Sequence, residues 1–480
     1  MKILVVIASY GHKNDKYLAQ VIAEYRSMGY SVDIVVQSNV PKQLGPDVQV
    51  LVGLPTPHPK SLTFGHRKVF AERLRDYDLF IYTEDDILIT ERNIDAFRQA
   101  ASVLPDTEVA GFLLFENATD GTRFFPDLFG YFHWDVNSLR IRGKEEFAFF
   151  TNEHAACFVL TQPQLRKAID SGGFLVPPHE GKYNIACSAA TDPYTQCGMT
   201  KMICVSRLDD FLVHHLPNKY VGKAGVHEEE LNRQVCALRD LGTNGHIRRS
   251  LFNTETKLPE LKWSKSYYEP VSDPRWSRNH FEPCVDDLLA LIPSGVSNVL
   301  SVGCGWGAAE RLLIERGLRV VGLPLDPVIG ACAQANGVEI VQGDFATAYD
   351  HLKAQQFDCI LLSKVLHLLP DPVNTLSELI QLLSPTGFVV ASVPNLAQLP
   401  VVWKLIRRDS GYRFLGNYRK SGVHLSSPRL LRSWLKRCNL VIQRTVPVIP
   451  SHRQRITSLS PGPAKWAFAS DVLTTAKKRT

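Results

Sequence analysis

Several common sequence signals are missing from this chain. No apolar run reaches the roughly 20 residues that a membrane-spanning helix needs, and the run Ile3 to Ala8 is too short for the core of a signal peptide. The ten cysteines form no Cys-x-x-Cys pair, which argues against a disulfide framework or a structural zinc site. The chain has a net charge of +6 and no long block of charged residues of one sign, which disfavours a nucleic-acid or membrane binder. These absences predict a protein of the reducing cytoplasm.

What is present is a long chain in which strand and helix patterns alternate twice. With 480 residues, of which 45% are hydrophobic, the chain exceeds what one core usually holds, so we expect two domains. Short apolar runs alternate with helical patterns over residues 1–241 and again over residues 283–480, which predicts an α/β fold in both. Residues 242–282 are polar, aromatic and interrupted by prolines. We interpret them as a linker that could also cover a cofactor.

The second half contains a glycine-rich turn directly after a buried strand. The segment VLSVGCGWG, residues 299–307, ends its strand in glycines and opens a helix at Ala308. Gly303, Gly305 and Gly307 would let the backbone turn tightly and approach a ligand that any side chain would block. The spacing also satisfies Gly-x-Gly-x-x-Ala, so a dinucleotide-binding Rossmann domain is one interpretation of this turn.

From this turn to its last strand, the second half resembles the class I S-adenosylmethionine-dependent methyltransferases, especially those acting on small molecules. Further motifs that carry the resemblance are GDF at 343–345, FDCILLSKVLHLLPDP at 357–372, GVHLSSPRLLRSWLKRC at 422–438 and FASDVL at 468–473. The resemblance implies a Rossmann-like fold with an antiparallel final strand. It also implies that the glycine turn carries the methionine part of S-adenosylmethionine and that Asp344 lies beside the adenine.

Two positions in this half depart from the family pattern. Ser301 stands where the family usually has an acid before the glycines, and Pro324 stands where it usually has the acid that binds the ribose. Asp326 follows two residues later and would point to the same side of an extended chain, so it is our candidate for the ribose contact. The alternative is that cofactor binding is weakened or lost.

The methyl acceptor is less clearly marked than the cofactor. His367 and His424 are candidates for a general base, because imidazole titrates near neutrality and can take the proton of an acceptor hydroxyl. The Asn/Asp-Pro-Pro-aromatic motif that grips a flipped base is absent after FDCILLSKVLH, so we expect no nucleic-acid substrate. Tyr267 and Tyr268 are candidates for a lid over the cofactor.

The first half contains three adjacent carboxylates between apolar residues. The stretch YTEDDIL, residues 82–88, places Glu84, Asp85 and Asp86 together near the end of a predicted strand. Helix capping does not explain them, because the next helix is predicted to start with Thr90 as its cap. Carboxylate clusters suit hard cations such as Mg²⁺ or Mn²⁺, and open α/β sheets bind ligands beyond the carboxyl ends of their strands. The stretch therefore predicts a cation that bridges to a diphosphate.

This half resembles the GT-A family of sugar-nucleotide-dependent glycosyltransferases in MKILVVIASYG at the start, EDD at 84–86 and DDFLVHHLPNKY at 209–220. The resemblance implies that Asp86 holds Mn²⁺ or Mg²⁺ and that Glu84 or Asp85 faces the nucleotide. Either His214 or His215 would complete the metal shell, because neighbouring strand residues face opposite ways. The resemblance also implies contacts to the base, ribose or phosphate from Ala8, Ser9, Tyr10 and Lys219.

These patterns lead to a hypothesis of two activities. We expect an enzyme that transfers a sugar from a nucleotide sugar and O-methylates a glycan or a glycosylated small molecule, with Asp192, Asp209, Asp210 and Glu153 as candidates to activate the sugar acceptor. An alternative keeps only the methyltransferase as an enzyme and makes the first half a carbohydrate-binding module. A third hypothesis, a nucleic-acid methyltransferase with a targeting domain, predicts steeply salt-dependent binding to nucleic acid.

Overall fold

The computed structural model describes residues 1–223, 225–242, 251, 278–282, 286–409, 412, 415–453, 462 and 465–479. These residues divide into two compact units. The N-terminal unit comprises the described residues up to 242, and the C-terminal unit comprises Leu251 and the described residues from 278 onward. Most of the predicted linker, together with Tyr267 and Tyr268, lies outside the described residues. The predicted boundaries 1–241, 242–282 and 283–480 therefore stay predictions.

A five-stranded sheet forms the centre of the N-terminal unit. Its strand order is β11-β4-β1-β2-β3, with β1 to β4 parallel and β11 antiparallel to β4. The unit also contains a four-stranded sheet, β6-β12-β10-β9, and a second five-stranded sheet of shorter strands, β14-β8-β7-β13-β5. The strands are β1 Lys2–Ser9, β2 Ser31–Ser38, β3 Val48–Val52, β4 Leu79–Glu84, β5 Ile87–Leu88, β6 Glu108–Ala110, β7 Leu113–Asn117, β8 Arg123–Phe125, β9 Trp134–Arg142, β10 Glu145–Phe150, β11 Cys157–Thr161, β12 Thr200–Cys204, β13 Leu212–His215 and β14 Val226–His227.

The helices of this unit begin at polar caps. Thr90 caps α3 in a capping box with Asn93, as the sequence predicts, and Thr161 caps α4 in the same way with Gln164. Strand β1 is buried along nearly its whole length, which explains its unbroken apolar sequence. The helices are α1 Asp15–Ser27, α2 His66–Glu72, α3 Glu91–Ala101, α4 Gln162–Asp170, α5 Ile185–Thr195 and α6 Glu228–Gly242.

A seven-stranded sheet forms the centre of the C-terminal unit. Its strand order is β17-β16-β15-β18-β19-β21-β20, and β21 runs antiparallel to both of its neighbours. This confirms the predicted antiparallel last strand of a Rossmann-like fold, although the strand begins at Asp471 rather than within FAS. The strands are β15 Asn298–Cys304, β16 Arg319–Pro324, β17 Glu339–Ile340, β18 Phe357–Ser363, β19 Leu383–Pro394, β20 Leu440–Val448 and β21 Asp471–Lys478.

Helices connect the strands of this sheet, and many of them start at an acid or a hydroxyl that accepts hydrogen bonds from the first turn. Asp326, Asp344, Asp371 and Ser427 hold this position. Among the described residues, every helix is too short or too polar to cross a membrane. The helices are α7 Asp286–Leu289, α8 Ala308–Glu315, α9 Pro327–Ala335, α10 Phe345–Leu352, α11 Pro372–Gln381, α12 Leu399–Ile406, α13 Tyr418–Ser421, α14 Pro428–Arg437 and α15 Lys465–Phe468.

Candidate functional sites

The glycine turn lies at the carboxyl end of β15, the strand between β16 and β18 near the middle of its sheet. Gly303 and Gly307 adopt φ angles of +73° and +92°, a region that side-chain-bearing residues rarely enter. Gly307 stands immediately before α8, so the free backbone N–H groups of that helix follow the turn. The turn therefore has the backbone geometry that a nucleotide-derived cofactor requires at this edge of a sheet.

A segment that the sequence assigned to the linker packs directly against this turn. The Trp306 N–H donates to the carbonyl of His280 at 3.0 Å. A Cβ added to Gly305 would lie only 2.1 Å from that same carbonyl oxygen. Residues 278–282 thus form one wall of the turn, and Gly305 is required by the approach of this backbone.

Asp326 and Asp344 both serve as helix caps. The Asp326 Oδ1 accepts from the N–H groups of Val328 at 2.9 Å and Ile329 at 3.1 Å, and the side chain is 2% exposed. Its Oδ2 lies 3.5 Å from the His280 Nδ1. Asp344 accepts from the Thr347 N–H at 2.9 Å. The contacts of Asp326 to ribose and of Asp344 to adenine stay predictions, and capping already accounts for one oxygen of each.

A carboxylate from α8 lies beside Ser301, the position where the family pattern places an acid. The Ser301 Oγ donates to the Glu310 Oε1 at 2.6 Å, and both side chains are buried. Glu310 belongs to the first turn of α8, the helix after the glycine turn, and its carboxylate reaches back to Ser301 of β15. The sequence interpretation missed Glu310 because nothing in its local pattern marks it as buried.

The two candidate bases of the C-terminal unit have different environments. His367 is fully buried, and its carbonyl accepts from the His424 N–H at 2.9 Å. His424 is half-buried, stacks on Tyr418 at a centroid distance of 4.5 Å, and places its Nε2 2.9 Å from the carbonyl of Leu369. A carbonyl only accepts, so Nε2 carries the proton and Nδ1 is the basic atom of His424.

In the N-terminal unit, Glu84 ends β4 at the carboxyl edge of the central sheet, and Asp85 and Asp86 follow it directly. Asp85 Oδ2 accepts from the Ser9 Oγ at 2.6 Å, and the Asn14 Nδ2 bridges Asp85 Oδ1 at 2.8 Å and Asp86 Oδ2 at 3.0 Å. The Asp85 N–H donates to the carbonyl of Ala8 at 3.1 Å. Ala8 and Ser9 therefore lie beside the acids, and their contacts to a nucleotide stay predictions.

His215 reaches Asp86 from a distant part of the chain. Its Nε2 lies 3.5 Å from the Asp86 Oδ2, and its Nδ1 lies 2.5 Å from the Glu116 Oε1. Strand β13 places His215 opposite Ile87 of β5, and β13 runs beside β7, which carries Glu116. A carboxylate on the far nitrogen is the arrangement that orients metal-binding histidines. The donor set of Asp86 and His215 thus fits a divalent cation.

His214 points away from this cluster, so of the two candidate histidines it is His215 that reaches Asp86. His214 stacks on Phe115 at 4.8 Å, and its Nε2 faces Asn218 at 3.0 Å and Asn117 at 3.3 Å. The physical reason is the alternation of side chains along β13. Among the described residues, no third His, Cys, Asp or Glu completes a metal cluster around Asp86 and His215.

Burial and nearby charge set the electrostatics of the acids. Burial, followed by repulsion from Asp86, raises the pKa of Glu84 to about 7. Burial also raises the pKa of Asp85, although its hydrogen bonds and the Lys42 ammonium oppose the shift. Burial alone would lower the pKa of His215, but the contacts with Asp86 and Glu116 outweigh burial and raise this pKa.

Two predicted contacts of the nucleotide lie at the surface. Tyr10 is 52% exposed. Lys219 is exposed, its Nζ lies 4.8 Å from the Tyr220 ring centroid, and its charge acts on His215. Lys42, whose Nζ donates to the carbonyl of Gly11 at 2.5 Å, is the buried positive charge near Asp85 that the sequence interpretation did not name.

The candidate bases of the N-terminal unit already bind other side chains. Asp192 is fully buried, pairs with Arg67, and lies 2.9 Å from the His179 Nε2. Glu153 is equally buried and accepts from the Lys182 Nζ at 2.8 Å and the Tyr183 hydroxyl at 2.7 Å. These partners favour structural roles for both acids.

The other two candidates belong to ion pairs near the 3-10 turn Leu208–Phe211. Asp209 binds the Arg123 Nη1 at 2.7 Å and is 62% exposed. Asp210 accepts from the Arg92 Nε at 2.6 Å and the Arg207 Nε at 2.8 Å. The role of each as an acceptor base stays a prediction.

Comparison with known proteins bears on the C-terminal unit. Residues 300–391 match the model of a family described as a methyltransferase domain. The C-terminal unit carries a methyltransferase domain. The matched stretch of this domain runs from the glycine turn to β19, and it favours methyl transfer over the dinucleotide-binding interpretation.

Curated relatives match the methyltransferase domain over part of their own length. A ubiquinone biosynthesis O-methyltransferase of Alkalilimnicola ehrlichii is 22% identical over 30% of this chain and 61% of its own. A trans-aconitate 2-methyltransferase of Escherichia coli is 28% identical over 29% of this chain and 56% of its own. The chain thus spans less than two thirds of either relative. A solved S-adenosylmethionine-dependent methyltransferase of Mesorhizobium loti is 21% identical, covers 40% of this chain and 96% of its own, and gives a TM-score of 0.30.

Proposed function

We propose that the protein is a transferase with two ligand sites, and that its methyltransferase domain O-methylates a glycan or a glycosylated small molecule with S-adenosylmethionine. The supporting observation is the glycine turn at the end of β15, which lies inside the stretch that matches the methyltransferase family. A turn with positive φ angles before the free N–H groups of α8 suits a bound nucleoside and its amino-acid tail.

The residues of this domain have distinct parts in the proposed reaction. Gly303, Gly305 and Gly307 would hold the cofactor, which supplies an electrophilic methyl group when bound. His424 is the better placed base, because its Nε2 is committed to the carbonyl of Leu369 and its Nδ1 remains basic. The full burial of His367 favours a packing role.

We also propose that the N-terminal unit binds a sugar nucleotide whose diphosphate shares Mn²⁺ or Mg²⁺ with Asp86 and His215. The supporting observation is the approach of Asp86 Oδ2 to the His215 Nε2 at 3.5 Å, with Glu116 orienting the histidine. Two protein ligands leave about four positions of an octahedral cation for diphosphate oxygens and water. Such a cation would neutralise the leaving diphosphate during sugar transfer.

The sugar-nucleotide proposal is tested by comparing Asp86→Ala with His214→Ala in the full-length protein. Cleavage of a panel of sugar nucleotides is measured by release of the nucleoside diphosphate, with Mn²⁺ or with EDTA. We expect the wild type to cleave a sugar nucleotide in the presence of Mn²⁺, and we expect Asp86→Ala to lower the rate of this cleavage at least about 100-fold. His214→Ala should retain it, because His214 faces the opposite side of β13. Equal cleavage by the wild type and Asp86→Ala would contradict the proposal and favour a carbohydrate-binding module.

The coupling of the two reactions has its own test. Each sugar-transfer product is returned to the protein with S-adenosylmethionine, and the added methyl group is detected by mass spectrometry. We expect methylation of the glycosylated product and not of the free acceptor. Equal methylation of both would show that the methyltransferase domain does not depend on the sugar.

A further inference from the structure

Helix α12 carries apolar side chains on both of its faces. Val401 and Leu405 pack into a hydrophobic cluster of the C-terminal unit. On the outer side, Leu399 is 53% exposed, Trp403 61% and Ile406 71%. Residues three and four apart share one face of a helix, so these three form an apolar stripe at the surface. A helix that is apolar all round is normally buried, which indicates that the apolar stripe binds a partner.

The apolar stripe lies near a second exposed leucine at the carboxyl edge of the seven-stranded sheet. Helix α12 follows the end of β19 at Pro394, and the Ser426 Oγ donates to the Pro394 carbonyl at 2.5 Å. Leu425, beside this contact, is 38% exposed. Strands β15, β18 and β19 are parallel, so the glycine turn stands at the same edge. The stripe and Leu425 thus form one apolar patch rather than scattered exposed residues.

The chain around this patch is almost without acids. Between Glu378 and Asp471 the sequence contains 14 lysines and arginines and one acid, Asp409. These basic residues alternate with neutral ones and form no block, which is why the sequence pattern disfavoured a membrane binder. The uneven distribution of the acids corrects that expectation for this segment.

Basic side chains of this segment flank the apolar patch. Arg407 follows the last residue of α12, its side chain is 62% exposed, and it meets Asp409 only at 3.8 Å. Arg429 is exposed in the first turn of α14, two residues after Ser427, and forms no ion pair among the described residues. Positive charge and exposed apolar side chains therefore occur together at this edge of the sheet.

Anionic lipid fits this combination better than other partners. Nucleic acid would meet the basic residues but leave the leucine and isoleucine side chains without a partner. A second copy of this chain would bring its own basic segment, and like charges repel across an interface. At an anionic membrane, Leu, Ile and Trp enter the boundary between headgroups and acyl chains, and Arg and Lys meet the headgroups.

We propose that the apolar stripe of α12, together with Leu425, binds the C-terminal unit to the surface of an anionic membrane. Helix α12 lies in the plane of the interface and does not span it. Arg407 and Arg429 contact the lipid headgroups. This binding turns the edge that carries the glycine turn toward the lipid, and it does not depend on either proposed reaction.

The apolar contact is tested by flotation of the full-length protein with vesicles of phosphatidylcholine and about 30% phosphatidylglycerol. We expect Ile406→Ser to lower the partition coefficient at least about 5-fold, because an isoleucine leaves the lipid. Ile141→Ser is the matched control, because Ile141 is 67% exposed in the N-terminal unit, and it should bind as the wild type does. Brominated lipid should quench the fluorescence of the wild type more than that of Trp403→Phe.

The charge contact is tested with the same vesicles. Arg407→Gln with Arg429→Gln should lower the partition coefficient at least about 10-fold. Arg316→Gln with Lys353→Gln removes the same charge at the helix ends that lead back to the opposite edge of the sheet, and it should have less than about a third of that effect. Binding equally to pure phosphatidylcholine, binding to RNA but not to vesicles, or a dimer that Ile406→Ser dissociates without any vesicle binding overturns the proposal. Unchanged vesicle binding in Ile406→Ser also overturns it. None of these measurements involves a sugar nucleotide or S-adenosylmethionine.

Discussion

At the scale of single residues, the N-terminal unit contains charged groups that are stabilised by very specific partners. The Lys201 ammonium is 2% exposed and donates to the carbonyls of Glu153 at 3.1 Å and His154 at 3.3 Å. Burial lowers the pKa of Lys201 to about 8, against an ordinary value of 10.5. The lysine therefore holds the backbone at Glu153 and His154 in place, although its burial disfavours the charged ammonium form.

This shift gives stability a defined dependence on pH. Between pH 8 and 10.5 the unfolded chain keeps the Lys201 proton that the folded protein has released, so this lysine makes stability rise with pH across that window. The gain is on the order of 3 kcal/mol. In Lys201→Met the rise should be missing, as measured by the difference between variant and wild-type urea unfolding at pH 7, 8.5 and 10. A difference in unfolding free energy that does not change with pH would show that burial does not lower the pKa of Lys201.

Sequence reasoning reached only part of each site at this scale. A cation at Asp86 was predicted because a cluster of acids at a strand end has few structural explanations, whereas the histidine pair was implied by the family resemblance of residues 209–220. Glu116, Lys42 and Asn14 were not predicted, because an isolated polar residue acquires a role only when β7, β13, the loop before α1 and the loop after β2 meet. The same applies to Glu310, which accepts a hydrogen bond from Ser301.

At the scale of elements, the glycine turn and the segment 278–282 form one structure. The carbonyl of His280 accepts from Trp306, and Glu282 pairs with Lys364 at the end of β18. The strands β15, β16, β18 and β19 could be predicted from the sequence, because buried parallel strands appear as nearly continuous apolar runs. The segment 278–282 and the two-residue strand β17 were not, because they are too short to carry a period.

Gly305→Ala tests this joint structure. The new Cβ would lie 2.1 Å from the His280 carbonyl oxygen, so residues 278–282 must move away from the turn. We expect the affinity for S-adenosylhomocysteine to fall at least about 10-fold, since a shift of one ångström at a binding site has effects of that size or larger. Titration calorimetry on the full-length protein measures it. Gly462→Ala is the matched control, because no described residue lies within 4 Å of its Cβ position. If Gly305→Ala bound S-adenosylhomocysteine with unchanged affinity, the position of residues 278–282 would not matter for cofactor binding.

At the scale of the whole molecule, the two units have separate hydrophobic cores. One core is built on β1, β4 and α3, including Val5, Phe80 and Phe97. Others lie on the two faces of the seven-stranded sheet, including Leu362 and Leu361 of β18. A unit with its own core can unfold as a unit, so the ligand of each proposed site should stabilise one unit and leave the other unchanged.

Scanning calorimetry of the full-length protein tests this independence. We expect two transitions, one raised by S-adenosylhomocysteine and the other raised by a nucleoside diphosphate with Mn²⁺. A ligand at 100 times its Kd contributes about 2.7 kcal/mol, which corresponds to roughly 5 to 10 °C for a unit of this size. His215→Ala should remove the second shift and keep the first, because His215 offers its Nε2 beside Asp86 in the N-terminal unit alone. If both transitions moved with either ligand, or if His215→Ala changed the response to S-adenosylhomocysteine, the assignment of one nucleotide site to each unit would be wrong.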